Sequence, residues 1–87
     1  MKQFTYTITD ALGIHARPAG MLAKLARSYG PDTHASLTKG EETVMLSQLM
    51  LLMGLGVKKD EEVTVTVEGP AEEEACAALE AFFKESL

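Results

Sequence analysis

The stretch GIHARPAG, residues 13–20, places a histidine, an arginine and a proline where a helix is predicted to begin. Helices usually start with Ser, Thr, Asp or Asn, whose side-chain oxygens bind the N–H groups of the first turn. His15 has no such oxygen, so those N–H groups stay available to an anion, which the positive helix end and Arg17 also attract. The same positive charges favour a neutral imidazole, whose lone pair is nucleophilic. These residue types predict a histidine that accepts a phosphoryl group and gives it away.

Pro18 supports the same interpretation. The first turn of a helix tolerates a residue without an N–H, and the proline ring stiffens the turn that presents Ala16 and Arg17. We therefore expect the backbone of Ala16 and Arg17 to bind the phosphate, assisted by the Arg17 guanidinium. Phosphohistidine holds a high-energy N–P bond, so a carrier needs a mildly stabilising site of this kind rather than a deep one.

Other chemistries find less support in the sequence. A lone histidine in a loop is often an ordinary surface residue, and only its neighbours favour a chemical role for His15. The other histidine, His34, is expected to be an exposed strand residue. No Cys or carboxylate follows at ligand spacing, so neither a metal nor another cofactor is predicted. Nothing in the sequence places Asp10 or Ser28 as a partner in a Ser-His-Asp device.

Hydrophobic periodicity predicts the elements that must position this segment. Strands are predicted over residues 2–9, 34–38, 43–46 and 61–68. Helices are predicted over residues 16–29 and 47–56 and from Pro70 onwards. Ser47 is the expected N-cap of the second helix, and the turn at KGEE is expected to be longer than two residues. The order β-α-β-β-α-β-α predicts an α+β open-faced sandwich, with helices covering one face of the sheet.

The first helix is predicted to expose a cationic face. Its core side consists of Pro18, Leu22, Leu25, Ala26 and Tyr29. Its other side consists of Arg17, Gly20, Lys24, Arg27 and Ser28. Three cations on a helix are often simply solvated, but Met21 lies beside them, and an adaptable apolar residue within a charged face favours a protein-docking surface.

The second helix is predicted to expose apolar residues. LMLLMGL has six apolar residues in seven positions, whereas a short helix on a sheet buries only one stripe. With Leu52 and Leu55 as the core pair, Met50 and Met53 should face solvent, flanked by Leu49 and Leu51. The alternative, a helix buried all round, is hard to arrange in so small a chain. We therefore predict a methionine-leucine patch for protein binding.

Composition limits the function. We interpret the 87 residues as one domain, residues 1–87, with little room for a deep substrate cavity. The net charge of −5 argues against nucleic acid as a partner, although nine of the 13 acids lie in residues 60–87, which leaves a basic patch feasible elsewhere. We find no signal peptide and no membrane-inserting run. The single cysteine, Cys76, suits a reducing compartment, and we expect a cytoplasmic protein.

LGIHARPAG and the later TVMLSQLMLLMGLGV resemble the HPr family, the histidine-containing phosphocarriers of the bacterial phosphoenolpyruvate:sugar phosphotransferase system. The resemblance spans nearly the whole chain. It implies a four-stranded antiparallel sheet with three helices on one face, and a phosphoryl carrier rather than an enzyme. His15 would accept phosphate on Nδ1 from enzyme I and pass it to enzyme IIA domains for sugar uptake, with Arg17 holding it, and we expect a monomer. The implied docking positions are Gly20, Met21, Lys24, Arg27, Leu49, Met50, Met53 and Gly54.

One departure from the family's pattern concerns regulation. In many Gram-positive relatives a kinase phosphorylates a serine at the start of the second helix. Here the match puts Gln48 at that position and Ser47 one residue earlier, so Ser47 could be the regulatory site only if the helix start shifts by one. A different hypothesis for the whole chain is an HPr-like regulatory interaction module outside sugar transport, such as a nitrogen-type relay or a transcription-factor co-regulator.

Overall fold

Four strands and three helices follow one another in the predicted order. The computed structural model describes all 87 residues of the chain. The strands are β1 (Lys2–Thr7), β2 (His34–Lys39), β3 (Glu42–Met45) and β4 (Glu62–Glu68). The helices are α1 (Ala16–Arg27), α2 (Leu49–Gly54) and α3 (Glu72–Ser86). All strand pairs are antiparallel in one four-stranded sheet, which confirms the predicted α+β open-faced sandwich.

The sheet order is β1-β4-β2-β3, so the first and last strands of the chain are neighbours. Their pairing ends with Thr7 opposite Glu62. Two backbone bonds continue the contact beyond the strands: the Ile8 N–H donates to the Glu61 carbonyl at 3.0 Å, and the Asp60 N–H donates to the Ile8 carbonyl at 2.8 Å. The chain that leaves β1 therefore lies against the segment that connects α2 to β4.

Alternation along the strands separates an apolar face from a hydroxyl-rich face. Val63, Val65 and Val67 of β4 are buried in the core between the sheet and the helices. The opposite face carries threonines at paired positions on the four strands: Thr5, Thr64, Thr38 and Thr43. The hydroxyls of Thr38 and Thr43 lie 2.8 Å apart and form a hydrogen bond. One face of the sheet is thus available to the helices and the other to water.

Helix α3 closes the core over β1 and β4. Phe83 is fully buried, and its ring meets those of Phe4 and Tyr6 edge to face, with centroids 5.5 and 5.6 Å away. Such aromatic pairs contribute about 0.5–1.5 kcal/mol beyond the burial of their surface. None of the three helices combines the length and the apolar content that a bilayer-spanning segment requires.

Helix α1 is shorter than the predicted 16–29. It ends at Arg27, and Ser28 is the C-cap. The N–H groups of Tyr29 and Gly30 donate to the carbonyls of Ala26 and Arg27, three residues back, at 3.3 and 3.0 Å. This tightening of the last turn is common at helix ends and replaces the regular α-helical bonds before the chain reaches Pro31.

Helix α3 begins at Glu72, two residues after the predicted start at Pro70. Ala71 is the N-cap, and its N–H donates to the buried Thr33 hydroxyl at 3.0 Å instead of continuing a helix. The Glu72 N–H donates to the Gly69 carbonyl at 3.1 Å, which closes a turn before the first helical bond. The tertiary contact with Thr33 therefore decides where the helix starts.

The β2–β3 hairpin closes with only two residues, Gly40 and Glu41, so the expectation of a longer turn was wrong. Lys39 pairs directly with Glu42. Gly40 has a φ of +61°, and Glu41 has no such positive value, as in a type II′ turn. That turn needs glycine only at its first central position, and its twist matches the twist of the strands.

Candidate functional site

His15 is the N-cap of α1. Its backbone is extended, with φ −102° and ψ −177°, and its carbonyl accepts the first helical bond from the Ala19 N–H at 2.9 Å. The side chain makes no capping bond and is 37% exposed. The N–H groups of Ala16 and Arg17 have no acceptor in the chain, and Pro18 has no N–H to donate. The structure therefore contains the arrangement that the sequence predicted: an unbonded imidazole next to free first-turn donors.

Asp10 lies close to the histidine ring, a contact that the sequence did not predict. Its Oδ2 is 4.0 Å from His15 Nε2, while its Oδ1 accepts the Leu12 N–H at 2.8 Å. The Asp10 carbonyl also accepts the Gly13 N–H at 2.9 Å, which closes a β-turn. The signal was present in DALG, because β-turns favour Asp at the first position and Gly at the fourth. Ser28 has no such role, since its hydroxyl donates to the carbonyl of Leu25.

Gly13 brings the loop that carries His15 into contact with the segment after α2. Its φ is +66°, and a Cβ at this position would lie 2.7 Å from the Lys58 Cα and closer still to the Val57 carbonyl oxygen. The same oxygen accepts the Ile14 N–H at 3.0 Å, and the Ile14 side chain is buried. Only glycine fits this close approach, and the loop is fixed immediately before the histidine.

The three basic residues of α1 are exposed, but they differ in their contacts. Arg17 and Lys24 form neither an ion pair nor a side-chain hydrogen bond, which leaves their charges free. Arg27 donates through Nε and Nη2 to the Ser47 carbonyl oxygen at 3.1 and 2.8 Å. It therefore joins α1 to the residues before α2, a contact that the sequence pattern did not predict.

The apolar residues of α2 divide as predicted into a core side and an exposed side. Leu52 is fully buried and Leu55 is 9% exposed, whereas Met50 is 80% and Met53 39% exposed. Leu51, expected on the flank, is 56% exposed and so faces solvent more than Met53 does. The exposed apolar residues of the two helices are thus Met21 of α1 and Met50, Leu51 and Met53 of α2.

Helix α2 runs back along α1 towards the histidine. Before it starts, the Ser47 carbonyl is held by Arg27 at the end of α1. After it ends, the Val57 carbonyl holds Ile14 just before the start of α1. Met53, close to that second contact, therefore belongs to the histidine end of the helix pair.

Comparison with known protein sequences shows which family the chain belongs to. The profile described as "PTS HPr component phosphorylation site" matches residues 2–85. The phosphocarrier protein HPr of Mycoplasma genitalium is 38% identical over 81 residues, which cover 93% of this chain and 91% of that protein. The chain belongs to the HPr family. It is accordingly a phosphocarrier of the phosphotransferase system and not an enzyme.

Solved structures of HPr proteins share the fold. A Mycoplasma histidine-containing phosphocarrier protein superposes with a TM-score of 0.92 at 28% identity, covering 98% of this chain and 94% of that chain. HPr from Thermoanaerobacter tengcongensis gives 0.86 at 34% identity, with both chains fully covered. Crh of Bacillus subtilis, described as a swapped dimer, gives 0.76 at 30% identity and covers 100% of this chain and 98% of that one.

The start of α2 differs from the expected Ser47 cap. Gln48 is the N-cap, with φ −102° and ψ 89°, and the helix begins at Leu49. The N-cap carbonyl of Gln48 accepts the Leu52 N–H at 2.9 Å, so the helical bonding begins one residue later than expected. The shift that would bring Ser47 to the position of the family's regulatory serine is absent. The Ser47 carbonyl is already engaged by Arg27, which holds the residue outside the helix.

Proposed function

We propose that this HPr-family chain accepts a phosphoryl group on Nδ1 of His15 from phospho-enzyme I. It then donates the group to enzyme IIA domains for sugar uptake. The observation that carries the proposal is the N-cap position of His15, where the ring is unbonded and the neighbouring N–H groups are free. The proposed place of this exchange is the cytoplasm, and the proposed working unit is a monomer of one domain.

The chemistry follows from what surrounds the ring. A neutral imidazole attacks the phosphorus with its Nδ1 lone pair, and the transferred group carries negative charge. The Ala16 and Arg17 N–H groups, the Arg17 guanidinium and the positive end of α1 stabilise that charge without breaking any bond of the helix. Because these groups are half exposed or exposed, the phosphate is held weakly enough to be passed on.

We assign the docking of both partners to one surface. It consists of Gly20, Met21, Lys24, Arg27, Leu49, Met50, Met53 and Gly54, to which the structure's exposures lead us to add Leu51. Exposed methionines adapt to different partners, as a carrier between two proteins requires. The cations Arg17 and Lys24 border the apolar part and would meet acidic groups of the partners.

The test is phosphorylation by enzyme I with phosphoenolpyruvate. We expect one acid-labile phosphate per chain, lost completely in His15→Ala. His34→Ala is the matched control, since His34 is exposed at the start of β2, as predicted, and should leave labelling unchanged. Label that survives His15→Ala would overturn the proposal.

The choice of acceptor needs its own measurement. Phosphorylated protein mixed with an enzyme IIA domain should transfer its label to that domain. A chain that takes phosphate from enzyme I but transfers none to any enzyme IIA domain would instead fit the regulatory module outside sugar transport. That outcome would contradict the proposed acceptor while leaving His15 as the carrier residue.

A further inference from the structure

We propose that Asp10 is a positioning residue for His15: its carboxylate keeps the proton of the neutral ring on Nε2 and leaves the lone pair on Nδ1. The inference rests on the proposed function of His15 as the phosphoryl acceptor. Its basis is the 4.0 Å separation between Asp10 Oδ2 and His15 Nε2. No other carboxylate lies within that distance of the ring, and the ring makes no hydrogen bond within the protein.

The interaction acts through charge. A separation of 4.0 Å is too long for a direct hydrogen bond, but an anion at that distance favours the tautomer that turns its N–H towards it. The side chains of His15 and Asp10 are 37% and 30% exposed, so water screens the pair only in part. Asp10 is the only carboxylate within 4.0 Å of the ring, so among the anions of the chain it acts most strongly on the ring proton.

The carboxylate is held in place by the backbone of its own turn. Oδ1 is bonded to the Leu12 N–H, and the Asp10 N–H donates to the Leu87 carbonyl at 2.9 Å. With one oxygen fixed in this way, the second remains directed to His15. Asparagine keeps an oxygen that accepts the Leu12 N–H but removes the charge. Asp10→Asn therefore separates the effect of the charge on the ring from the effect of the hydrogen bond that holds the turn.

The transfer step balances with this proton arrangement. The Nδ1 lone pair forms the N–P bond while the bond from phosphorus to the donor breaks, and that electron pair leaves with the donor. The ring keeps its Nε2 proton throughout and becomes cationic, and Asp10 offsets the new charge. When an acceptor attacks the phosphorus, the N–P pair returns to Nδ1 and the ring is again neutral. No proton has to move in either direction.

The experiment uses His34→Gln as the background, so that His15 is the only histidine. The ring tautomer is read from ¹⁵N NMR, and the rate of Nδ1 phosphorylation is measured with phosphoramidate, which requires no protein partner. Asp10→Asn should raise the Nδ1-protonated fraction and slow phosphorylation about three- to tenfold, the effect expected of one partly screened charge.

Controls separate charge from structure. Glu68→Gln removes a carboxylate at the far end of β4, roughly 20 Å along the strand from the end that pairs with Thr7, and should change neither readout. Asp10→Ala removes both the charge and the turn bond. If Asp10→Asn matches the parent protein while Asp10→Ala is impaired, Asp10 acts only on the turn and the inference is wrong. Failure of the proposed function is distinguishable, because it appears as phosphorylation by phosphoramidate but not by enzyme I.

Discussion

Arg17 and Arg27 are exposed on the same helix, but only Arg27 is held by the rest of the protein. Its two hydrogen bonds end on the Ser47 carbonyl, whereas the Arg17 guanidinium has no partner in the chain. The guanidinium of Arg17, two residues after His15, is free to bind a transient anion. The guanidinium of Arg27 instead connects α1 to the residues before α2. The two arginines should therefore respond differently to the same substitution.

Arg17→Ala should leave the free energy of unfolding within about 0.5 kcal/mol, because no ion pair or side-chain hydrogen bond is lost. On the proposed function it should nevertheless slow phosphoryl transfer, since the positive charge assigned to phosphate binding is gone. Arg27→Ala should lower the free energy of unfolding by roughly 1 kcal/mol through the lost bonds to Ser47. Urea unfolding and transfer rates on both variants check this, and a larger stability loss for Arg17→Ala would contradict it.

At the scale of single residues, sequence reasoning works where chemistry depends on neighbours in the chain. His15, Arg17 and Pro18 are adjacent, and their arrangement at a helix start could be read directly. The contact of Asp10 with His15 depends on how the DALG turn folds back, and Arg27 binds a backbone oxygen twenty positions away. Contacts of that kind, between residues distant in the chain or across a turn, cannot be predicted from side-chain type alone.

The segment between α2 and β4 supports the histidine loop, and Glu61 organises it. Glu61 accepts the Lys58 N–H at 2.6 Å and pairs with the Lys39 ammonium at 3.2 Å. The Lys58 N–H foremost, and Lys39 next, lower the pKa of Glu61 below its ordinary value of 4.5. Lys39 also donates to the carbonyls of Leu55 and Gly56 behind α2. Lys39 of β2 and Glu61 of the connecting segment thus fix the chain between α2 and β4, which the histidine loop contacts.

Stability should depend on the charge of Glu61. A carboxyl whose pKa is lower in the folded than in the unfolded state adds stability above its unfolded pKa, and this is lost as the pH falls through its folded pKa. Glu61→Gln should therefore be less stable than the parent at pH 7, with the difference shrinking below about pH 4.5. Urea unfolding from pH 7 down to acid measures it. Glu41→Gln, in the exposed hairpin turn, is the control, and an equal effect there would refute the assignment.

Two glycines on either side of the histidine should respond in opposite ways to alanine. A Cβ on Gly20, within α1, would meet nothing within 4 Å, so Gly20→Ala should stabilise the fold by about 0.5–1 kcal/mol. Gly13→Ala should destabilise it, because its positive φ and the contact with Val57 exclude a side chain. Thermal unfolding of both variants tests the pair, and a stable Gly13→Ala protein would show that the loop is free to move.

Periodicity predicted the type and order of every element but not their ends. Alternating valines and threonines mark the buried face of β4, yet they do not say that β1 is its neighbour. The start of α3 depends on the Thr33 hydroxyl, which comes from the other half of the chain. The predicted length of the β2–β3 turn was wrong because a single glycine, Gly40, with positive φ is enough for a two-residue connection.

Charge is unevenly distributed over the whole molecule. The net charge is −5, and nine of the 13 acids fall in residues 60–87, which include β4 and α3, while α1 carries three cations. The three cations of α1 therefore form a local positive stretch on an acidic protein, and such a stretch orients a charged partner as it approaches. Such steering is weakened by salt.

Phosphoryl exchange with enzyme I should accordingly slow as ionic strength rises. We expect the second-order rate to fall several-fold between about 0.05 and 0.5 M NaCl, a range over which exposed charges become largely screened. Lys24→Glu should lower the rate at low salt and flatten the salt dependence. Glu74→Gln on α3 is the control. Stopped-flow rates that are independent of salt would exclude electrostatic steering by α1.

The loop held by Gly13 and Ile14 presents His15 in one fixed geometry on one side of the molecule. On the proposed function, the donor and the acceptor both need that ring, so they cannot be bound together and exchange proceeds by turns. Each encounter begins only after the previous partner has left. An excess of unphosphorylated acceptor should then act as a competitive inhibitor of His15 phosphorylation by the donor. The rates of phosphorylation and of transfer to the acceptor would therefore depend on each other, because both partners occupy the same face of the protein.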